Sequence, residues 1–188
     1  MGGTNQAPNV PEEPVEIERK FLLRERPQIP NGAEILEIEQ GYLPPPSDAD
    51  AGGAAEEEHV EGRLRRAVHA DGTEQLIHTI KRGHGTKRTE IERLLTPADF
   101  QRYWPATAGR RLSKRRYRVT DPDGRMDLVW EIDEFTDRDL WLAEVELPSE
   151  ETQIVFPAWL RGSVVREVTD EARFTNYALA ARNASNAV

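Results

Sequence analysis

Pairs of like charges at a spacing of two recur in this chain, within segments that have the composition of β-strands. The first pair belongs to the run Glu16-Ile17-Glu18-Arg19-Lys20. The six pairs are Glu16/Glu18, Arg63/Arg65, Glu90/Glu92, Lys114/Arg116, Glu131/Asp133 and Glu144/Glu146. Because side chains alternate between the two faces of a strand, both members of a pair lie on the same face. Like charges side by side repel each other, so the pattern predicts a polyanion near the bases and metal ions near the acids.

Length and charge limit the class of protein. A chain of 188 residues predicts one domain with a substantial core. The formal net charge of −9 argues against bulk electrostatic binding of nucleic acid, although it leaves room for a local basic site for a small phosphate ligand. The absence of cysteine excludes a disulfide framework, a zinc–thiolate site and a cysteine nucleophile. With no apolar run of membrane-spanning length and no secretory signal pattern, the sequence predicts a cytoplasmic protein without a membrane partner.

The order of apolar runs and turn residues predicts the organisation of the chain. Residues 1–13 are expected to form a flexible leader, 14–182 a single domain and 183–188 a tail, and 44–59 a mobile acidic loop. Strands are predicted at 15–24, 35–43, 60–70, 74–81, 87–95, 111–120, 125–135 and 139–147, and helices at 99–103, 154–160 and 171–182. These elements indicate an α+β fold, namely an eight-stranded antiparallel β-barrel with flanking helices.

The phase of the charge pairs predicts which residues face the interior of that barrel. The acids that share this phase are Glu16, Glu18, Glu90, Glu92, Glu131, Asp133, Glu144 and Glu146. The bases are Lys20, Arg63, Arg65, Lys81, Arg88, Lys114, Arg116 and Arg118. The opposite faces are apolar, so we expect a charged lumen inside an apolar shell that the helices cover. Segregated acidic and basic patches would bind a metal–polyphosphate complex. The alternative is an ordinary amphipathic sheet whose charged face is solvated.

The motifs on these strands resemble those of a known family, the CYTH superfamily of triphosphate tunnel metalloenzymes. The resemblance spans about 14–180, and it rests on these elements in this order. They are Glu16-Ile17-Glu18-Arg19-Lys20, Gly41-Tyr42-Leu43, Arg63-Leu64-Arg65, Thr79-Ile80-Lys81, Glu90-Ile91-Glu92, Lys114-Arg115-Arg116-Tyr117, Trp130-Glu131-Ile132-Asp133-Glu134-Phe135, Ala143-Glu144-Val145-Glu146-Leu147, Glu167-Val168-Thr169-Asp170 and Arg173-Phe174-Thr175-Asn176. Any one motif is weak, but the ordered set is specific.

The resemblance implies a tunnel barrel that binds a triphosphate with Mg²⁺ or Mn²⁺, and it assigns roles to residues. The phosphates would be held by Lys20, Arg63, Arg65, Lys81, Lys114 and Arg116. The metal would be held by Glu16, Glu18, Glu144 and Glu146, with a contribution from Asp133. Catalysis would centre on Glu16, Glu18, Lys20, Lys81 and Arg116. Glu90, Glu92, Glu131, Arg88 and Arg118 would be further site residues that ligate a second ion or orient the bases.

These roles are typical of metal-dependent hydrolysis of a triphosphate, with inorganic tripolyphosphate as the favoured small-molecule substrate. Three alternatives stay open from sequence: an adenylyl cyclase that makes cyclic AMP, a thiamine or nucleoside triphosphatase, and a non-catalytic polyphosphate binder. The full set of metal carboxylates favours an enzyme over a binder. The oligomeric state is left as monomer or homodimer.

Overall fold

The computed structural model describes residues 15–44, 60–82, 87–120 and 128–185, without the side chains of 15–16, 60–61, 81–82, 87–90 and 182–185. The predicted leader at 1–13, nearly all of the acidic loop at 44–59, the first three residues of the strand predicted at 125–135 and the end of the predicted tail lie outside the described residues. In these described segments, no helix has the length and apolar character needed to cross a membrane.

The described chain folds around one antiparallel sheet. Its strands are β1 (Val15–Leu23), β2 (Glu34–Tyr42), β3 (Val60–His69), β4 (Glu74–Arg82), β5 (Lys87–Leu94), β6 (Arg111–Thr120), β7 (Val129–Phe135), β8 (Trp141–Glu146) and β9 (Val164–Glu167). The order across the sheet is β5-β4-β3-β2-β6-β7-β8-β1-β9. The eight predicted strands are confirmed, while β9 was not predicted.

A short pairing joins the two sides of the sheet. Residues Val15, Glu16 and Ile17 of β1 lie opposite Thr89, Arg88 and Lys87 of β5. This contact connects β5 to β1, so that β1 to β8 curl into a tunnel that is joined there over only three residue pairs. The predicted antiparallel barrel architecture is therefore confirmed as a strongly curled ring of eight strands, with β9 added outside the ring on β1.

Two of the three predicted helices are shorter than predicted. They are α1 (Pro97–Tyr103), which continues into a 3₁₀ turn at Trp104–Thr107, α2 (Ala158–Arg161), and α3 (Asn176–Ser185), which follows a 3₁₀ turn at Ala172–Phe174. Thr96 is the N-cap of α1, since its Oγ1 accepts from the Asp99 N–H at 3.2 Å. The helix predicted at 154–160 is wrong over most of its length, because Pro157 disfavours helical geometry at the residue before it and α2 begins only after it.

The apolar shell lies on the outer faces of β1, β7 and β8. Its buried members are Phe21, Leu23, Tyr117, Trp130, Ile132, Ala143, Val145, Leu147 and Leu160. Ile154 and Phe156 pack against this cluster from the extended segment before α2, and the Phe156 ring meets the Phe21 ring edge-on at 4.9 Å. The predicted cover of the shell is thus supplied here by this extended segment together with Trp159 and Leu160 of α2.

Gly41 lets the 3₁₀ turn at Trp104–Thr107 pack closely on β2. A Cβ at this position would lie 2.5 Å from Thr107 Oγ1. Thr107 is fully buried and cannot easily move, since its Oγ1 donates to Trp104 O at 2.7 Å and accepts from Arg111 Nε at 2.8 Å.

Gly41→Ala is therefore expected to lower the free energy of unfolding by about 1–3 kcal/mol, the usual cost of overpacking. Urea unfolding of the variant and the wild type measures this difference. Gly162→Ala is the matched control, because no atom lies within 4 Å of its added Cβ. Equal stability of the two variants would contradict the close approach.

Candidate active site

Strand register brings the predicted charge pairs onto the inner face of the curled sheet. Arg118 of β6 lies opposite Glu131 of β7, which lies opposite Glu144 of β8, which lies opposite Lys20 of β1. Residues directly opposite in an antiparallel pair share a face, so these four side chains form one layer of the lumen. The next layer places Arg116 opposite Asp133.

Arg116 is the centre of a buried ion-pair cluster. Its Nε donates to Asp133 Oδ1 at 2.7 Å, and its Nη2 donates to Asp133 Oδ2 at 2.7 Å and to Glu144 Oε2 at 2.6 Å. Its Nη1 donates to Glu131 Oε2. Glu131 and Glu144 are like charges directly opposite each other, and this guanidinium neutralises both. Together these acids raise the pKa of Arg116 well above its ordinary value despite its burial.

Asp133 is fully buried and is held by two cations. Besides its contacts with Arg116, its Oδ2 lies 2.5 Å from Lys114 Nζ, which is buried as well. Burial would raise the pKa of the Asp133 carboxyl, but Arg116 and Lys114 together lower it below the ordinary value. Burial and the neighbouring Arg116 lower the pKa of Lys114 to about 8. The predicted metal role of Asp133 and the predicted phosphate role of Lys114 stay predictions, and in this structure the two residues bind each other.

Lys20 connects two carboxylates of the lumen. Its Nζ lies 2.8 Å from Glu144 Oε1 and 3.5 Å from Glu18 Oε1. Burial alone would lower the pKa of Lys20, but Glu144 and Glu18 outweigh it, so the pKa is raised. For Glu144, burial is outweighed by Lys20 and Arg116, which hold its pKa well below the ordinary value. Both groups are therefore charged at neutral pH.

Glu146 differs from the other acids of the lumen. It lies directly opposite Glu18, and it is exposed. Among the side chains that the structure describes, none forms a hydrogen bond or an ion pair with its carboxylate. Two facing carboxylates with so little compensation fit a hard divalent cation, which prefers oxygen ligands. No cluster of three or more acidic or histidine side chains that could hold a metal is present among the described residues, and Glu16 is not one of the side chains described.

A second group of lumen residues lies on β3, β4 and β5. Arg63 is buried, and its Nη2 donates to Thr79 Oγ1 at 3.1 Å and to Glu92 Oε1 at 3.4 Å. Thr79 in turn donates to Glu92 at 2.9 Å. Arg65 is half-buried on the same face, opposite Gln40 and Ile77. At the exposed mouth, Arg118 pairs with Glu131 and Glu34 at 3.2 Å and 2.8 Å.

Acids and bases in the described lumen are not segregated into two patches as expected. The bases lie mainly on β3 and β6 and the acids mainly on β7 and β8, but β6 and β7 are neighbours, so their charges pair directly. The side chains of Glu16, Lys81, Arg88 and Glu90 lie outside the described residues, and their predicted roles stay predictions.

One end of the lumen is apolar. The buried side chains Tyr42, Leu112, Phe135 and Leu142 pack there with Val168 and with Leu179 and Ala180 of α3. Tyr42 meets the Tyr177 ring edge-on at 5.3 Å. The α3 helix reaches the charged layer at its first residue, where Asn176 Oδ1 lies 3.4 Å from Lys114 Nζ. The charged lumen therefore has an apolar floor, a feature that the charge pattern did not predict.

Gln40 and Tyr42 were not identified as site residues from sequence. Gln40 is fully buried, and its Nε2 donates to Tyr42 Oη at 2.9 Å. Its Oε1 has no hydrogen-bond partner among the described residues. Both residues share the phase of the lumen-facing side chains, because Gln40 lies opposite Arg65 and Tyr42 lies opposite Arg63. Their phase could have indicated an inward orientation. It was not used, because β2 carries no pair of like charges on this face.

Comparison with known proteins agrees with this architecture. The inorganic triphosphatase of Nitrosomonas europaea is 37% identical over 170 residues, which span 88% of this chain and 96% of that protein. Two solved structures, one described as the inorganic triphosphatase NE1496 and one as the hypothetical protein NE1496, match with a TM-score of 0.58 each. They are 34% and 35% identical, cover 88% of this chain, and are themselves covered over 94% and 97%. No protein-family model matches the chain.

A curled ring of eight antiparallel strands around a lumen of paired acids and bases defines the class of the triphosphate tunnel enzymes. Within that class, the identity and coverage of the Nitrosomonas relative show that this chain belongs to the inorganic triphosphatase family.

Proposed function

We propose that this protein hydrolyses inorganic tripolyphosphate to pyrophosphate and phosphate with a divalent cation. The observation that carries the proposal is the 37% identity to an inorganic triphosphatase along 88% of the chain. The lumen supports it, because Lys20, Arg63 and Arg116 are buried there beside acids. Burial strengthens the attraction between such cations and the phosphate oxygens of a small substrate.

The basic side chains would bind and orient the substrate. Lys20, Arg63, Arg65, Lys81, Lys114 and Arg116 are proposed to neutralise the phosphate oxygens. Because these cations now pair with acids, phosphate oxygens would replace part of that pairing when the substrate binds. Holding the terminal phosphorus in line with the attacking water and the leaving pyrophosphate supplies much of the catalysis in phosphoryl transfer.

Acids of β1 and β8 would hold the cation. Glu16, Glu18, Glu144 and Glu146 are the proposed ligands, and the facing pair Glu18 and Glu146 carries this assignment. A bound Mg²⁺ or Mn²⁺ would neutralise phosphate charge and lower the pKa of a coordinated water. Asp133 is proposed to contribute to the metal site, and through its contacts with Arg116 and Lys114 it would also orient these two bases.

Release of phosphate from tripolyphosphate, ATP and thiamine triphosphate, each with Mg²⁺, Mn²⁺ or EDTA, tests the proposal. Rapid metal-dependent release from tripolyphosphate with little from ATP is the expected result. Formation of cyclic AMP and pyrophosphate from ATP would replace the proposal with a cyclase. Absence of any turnover would leave a binding protein. A cytoplasmic location, the lack of a nucleic-acid partner, and a monomeric or homodimeric state stay predictions.

Arg65→Ala is expected to reduce kcat/KM for tripolyphosphate at least about 30-fold. Removing one member of a desolvated charge pair costs about 2 kcal/mol or more, and about 1.4 kcal/mol is a factor of ten. Arg66→Ala is the matched control, because the neighbouring Arg66 lies on the outer face and pairs there with Glu39 and Glu74. Steady-state kinetics compare the two variants, and equal losses would contradict the inward assignment of Arg65.

A further inference from the structure

One edge of β1 pairs with two different strands, and the change from one to the other occurs at the proposed site. On one edge, β8 pairs continuously with β1 from Glu18 to Leu23. On the other edge, β5 pairs with residues 15–17 and β9 pairs with residues 21–23. The residues between these two pairings, 18–20, include Glu18 and Lys20. The backbone of two proposed site residues therefore lies in the gap between the β5 pairing and the β9 pairing.

Thr169 and Val168 form hydrogen bonds with the β1 backbone in this gap. The Lys20 N–H donates to Thr169 Oγ1 at 3.0 Å, and the Val168 N–H donates to Lys20 O at 2.8 Å. Both backbone polar groups of Lys20 are thus held from this edge, one of them by a side-chain hydroxyl in place of a ladder bond. An unpaired backbone group here would be costly, since Lys20 is nine-tenths buried.

The Thr169 hydroxyl is itself held in place. It donates to Glu167 Oε1 at 2.7 Å. The same carboxylate receives Arg19 Nε at 2.8 Å and binds the Arg19 Nη2 through its other oxygen. Arg19 adjoins Lys20 but points to the outer face. The ion pair between Arg19 and Glu167 therefore holds β1 on its outer face, while Lys20 faces the lumen. All three residues of the motif Glu167-Val168-Thr169 therefore contribute, directly or through Thr169, to the hydrogen bonds of the Lys20 backbone.

We propose that Thr169, held by Glu167, is a positioning residue that sets the place of the Lys20 ammonium group in the lumen. The proposal rests on the proposed function, in which Lys20 binds a phosphate oxygen. The Lys20 Nζ lies 2.8 Å from Glu144 and 3.5 Å from Glu18. A group that is misplaced by about 1 Å loses much of its effect on a reacting substrate. The hydrogen bonds that fix the Lys20 backbone therefore affect how well its ammonium group binds a phosphate oxygen.

Thr169→Val removes the hydroxyl and keeps the shape of the side chain. The expected result is an increase of about 3- to 10-fold in KM for tripolyphosphate, the equivalent of one net hydrogen bond, with a smaller change in kcat. Thr169→Ser restores the hydroxyl and most of the affinity. Thr152→Val is the matched control, because the Thr152 hydroxyl bonds to the Ser149 hydroxyl at 3.1 Å and, among the described residues, forms no hydrogen bond with β1. Its expected change in KM is less than about 2-fold.

A double-mutant cycle with Lys20→Met separates positioning from general destabilisation. Thr169→Val is expected to add little to the loss already caused by Lys20→Met, because its effect acts through that ammonium group. An additional loss equal to the one in the wild-type background would overturn the proposal. So would a KM for Thr169→Val that is no higher than that of Thr152→Val.

Amide hydrogen exchange gives a readout that is independent of catalysis. The Lys20 amide is expected to exchange slowly in the wild type and faster in Thr169→Val, while the Phe21 amide, which faces β8, changes less. Unchanged exchange at Lys20 would overturn the proposal even in an active enzyme. If the wild type neither bound nor hydrolysed tripolyphosphate, the proposed function would fail, while faster exchange at Lys20 would still support the contact itself.

Discussion

Glu18→Gln is expected to reduce metal-dependent phosphate release from tripolyphosphate at least about 100-fold without unfolding the protein. Glu18 lies at the mouth of the lumen opposite Glu146, and its side chain is 40% exposed. Glutamine has the same shape but lacks the negative charge that a divalent cation requires. The exchange relieves repulsion between facing carboxylates and also removes the 3.5 Å contact with Lys20 Nζ, so thermal stability should stay close to that of the wild type.

Steady-state assays over a range of Mg²⁺ and Mn²⁺ concentrations measure this loss, and the metal concentration for half-maximal activity should rise. The matched control is Glu39→Gln, because Glu39 is exposed on the outer face of β2, where it pairs with Arg66. Wild-type activity in Glu18→Gln would show that the inward assignment of this part of β1 is wrong.

Asp133→Ala is expected to lower the free energy of unfolding by about 3–5 kcal/mol, a large fraction of the usual stability of a domain. Asp133 is fully buried and binds Arg116 at 2.7 Å and Lys114 at 2.5 Å. Removing it leaves two buried cations with too few acids to compensate them. Urea or thermal unfolding at neutral pH measures the change.

Glu74→Ala is the control for the loss of an ion pair as such. Glu74 pairs with Arg66 on the exposed outer face, where such pairs contribute only about 0–1 kcal/mol. Asp133→Asn keeps the shape of the side chain and provides a milder variant if the alanine protein does not fold. A loss in Asp133→Asn no larger than that in Glu74→Ala would mean that the buried cluster contributes nothing beyond an exposed pair.

The charged layers of the lumen could be predicted from sequence because strand phase is a local property. Once Arg116 and Glu144 are placed on strands, their faces follow from the period of two. The register then brings Arg116 opposite Asp133 and Glu144 opposite Lys20, as the shared phase implied. Which acid each base selects depends on strand order, and the charge pattern alone did not contain that information.

The parts that were not predicted depend on contacts between distant segments. Strand β9 has only four residues, and it is stabilised by pairing with β1 far earlier in the chain. The apolar floor shares the phase of the charged residues, so a rule based on charge pairs passed over Leu112, Phe135 and Leu142. Thr169 accepts a hydrogen bond from the backbone of Lys20. A contact between a hydroxyl and a distant backbone N–H produces no periodic pattern in a sequence, so it could not be predicted.

The apolar floor also limits how a linear polyphosphate can be used. Tyr42, Phe135 and Leu142 pack with α3 at that end. In the proposed function, a chain molecule that enters at the charged mouth would meet this floor with its leading end, so its phosphates would be bound from one terminus inward. Cleavage of a long polyphosphate would then favour its termini over its interior.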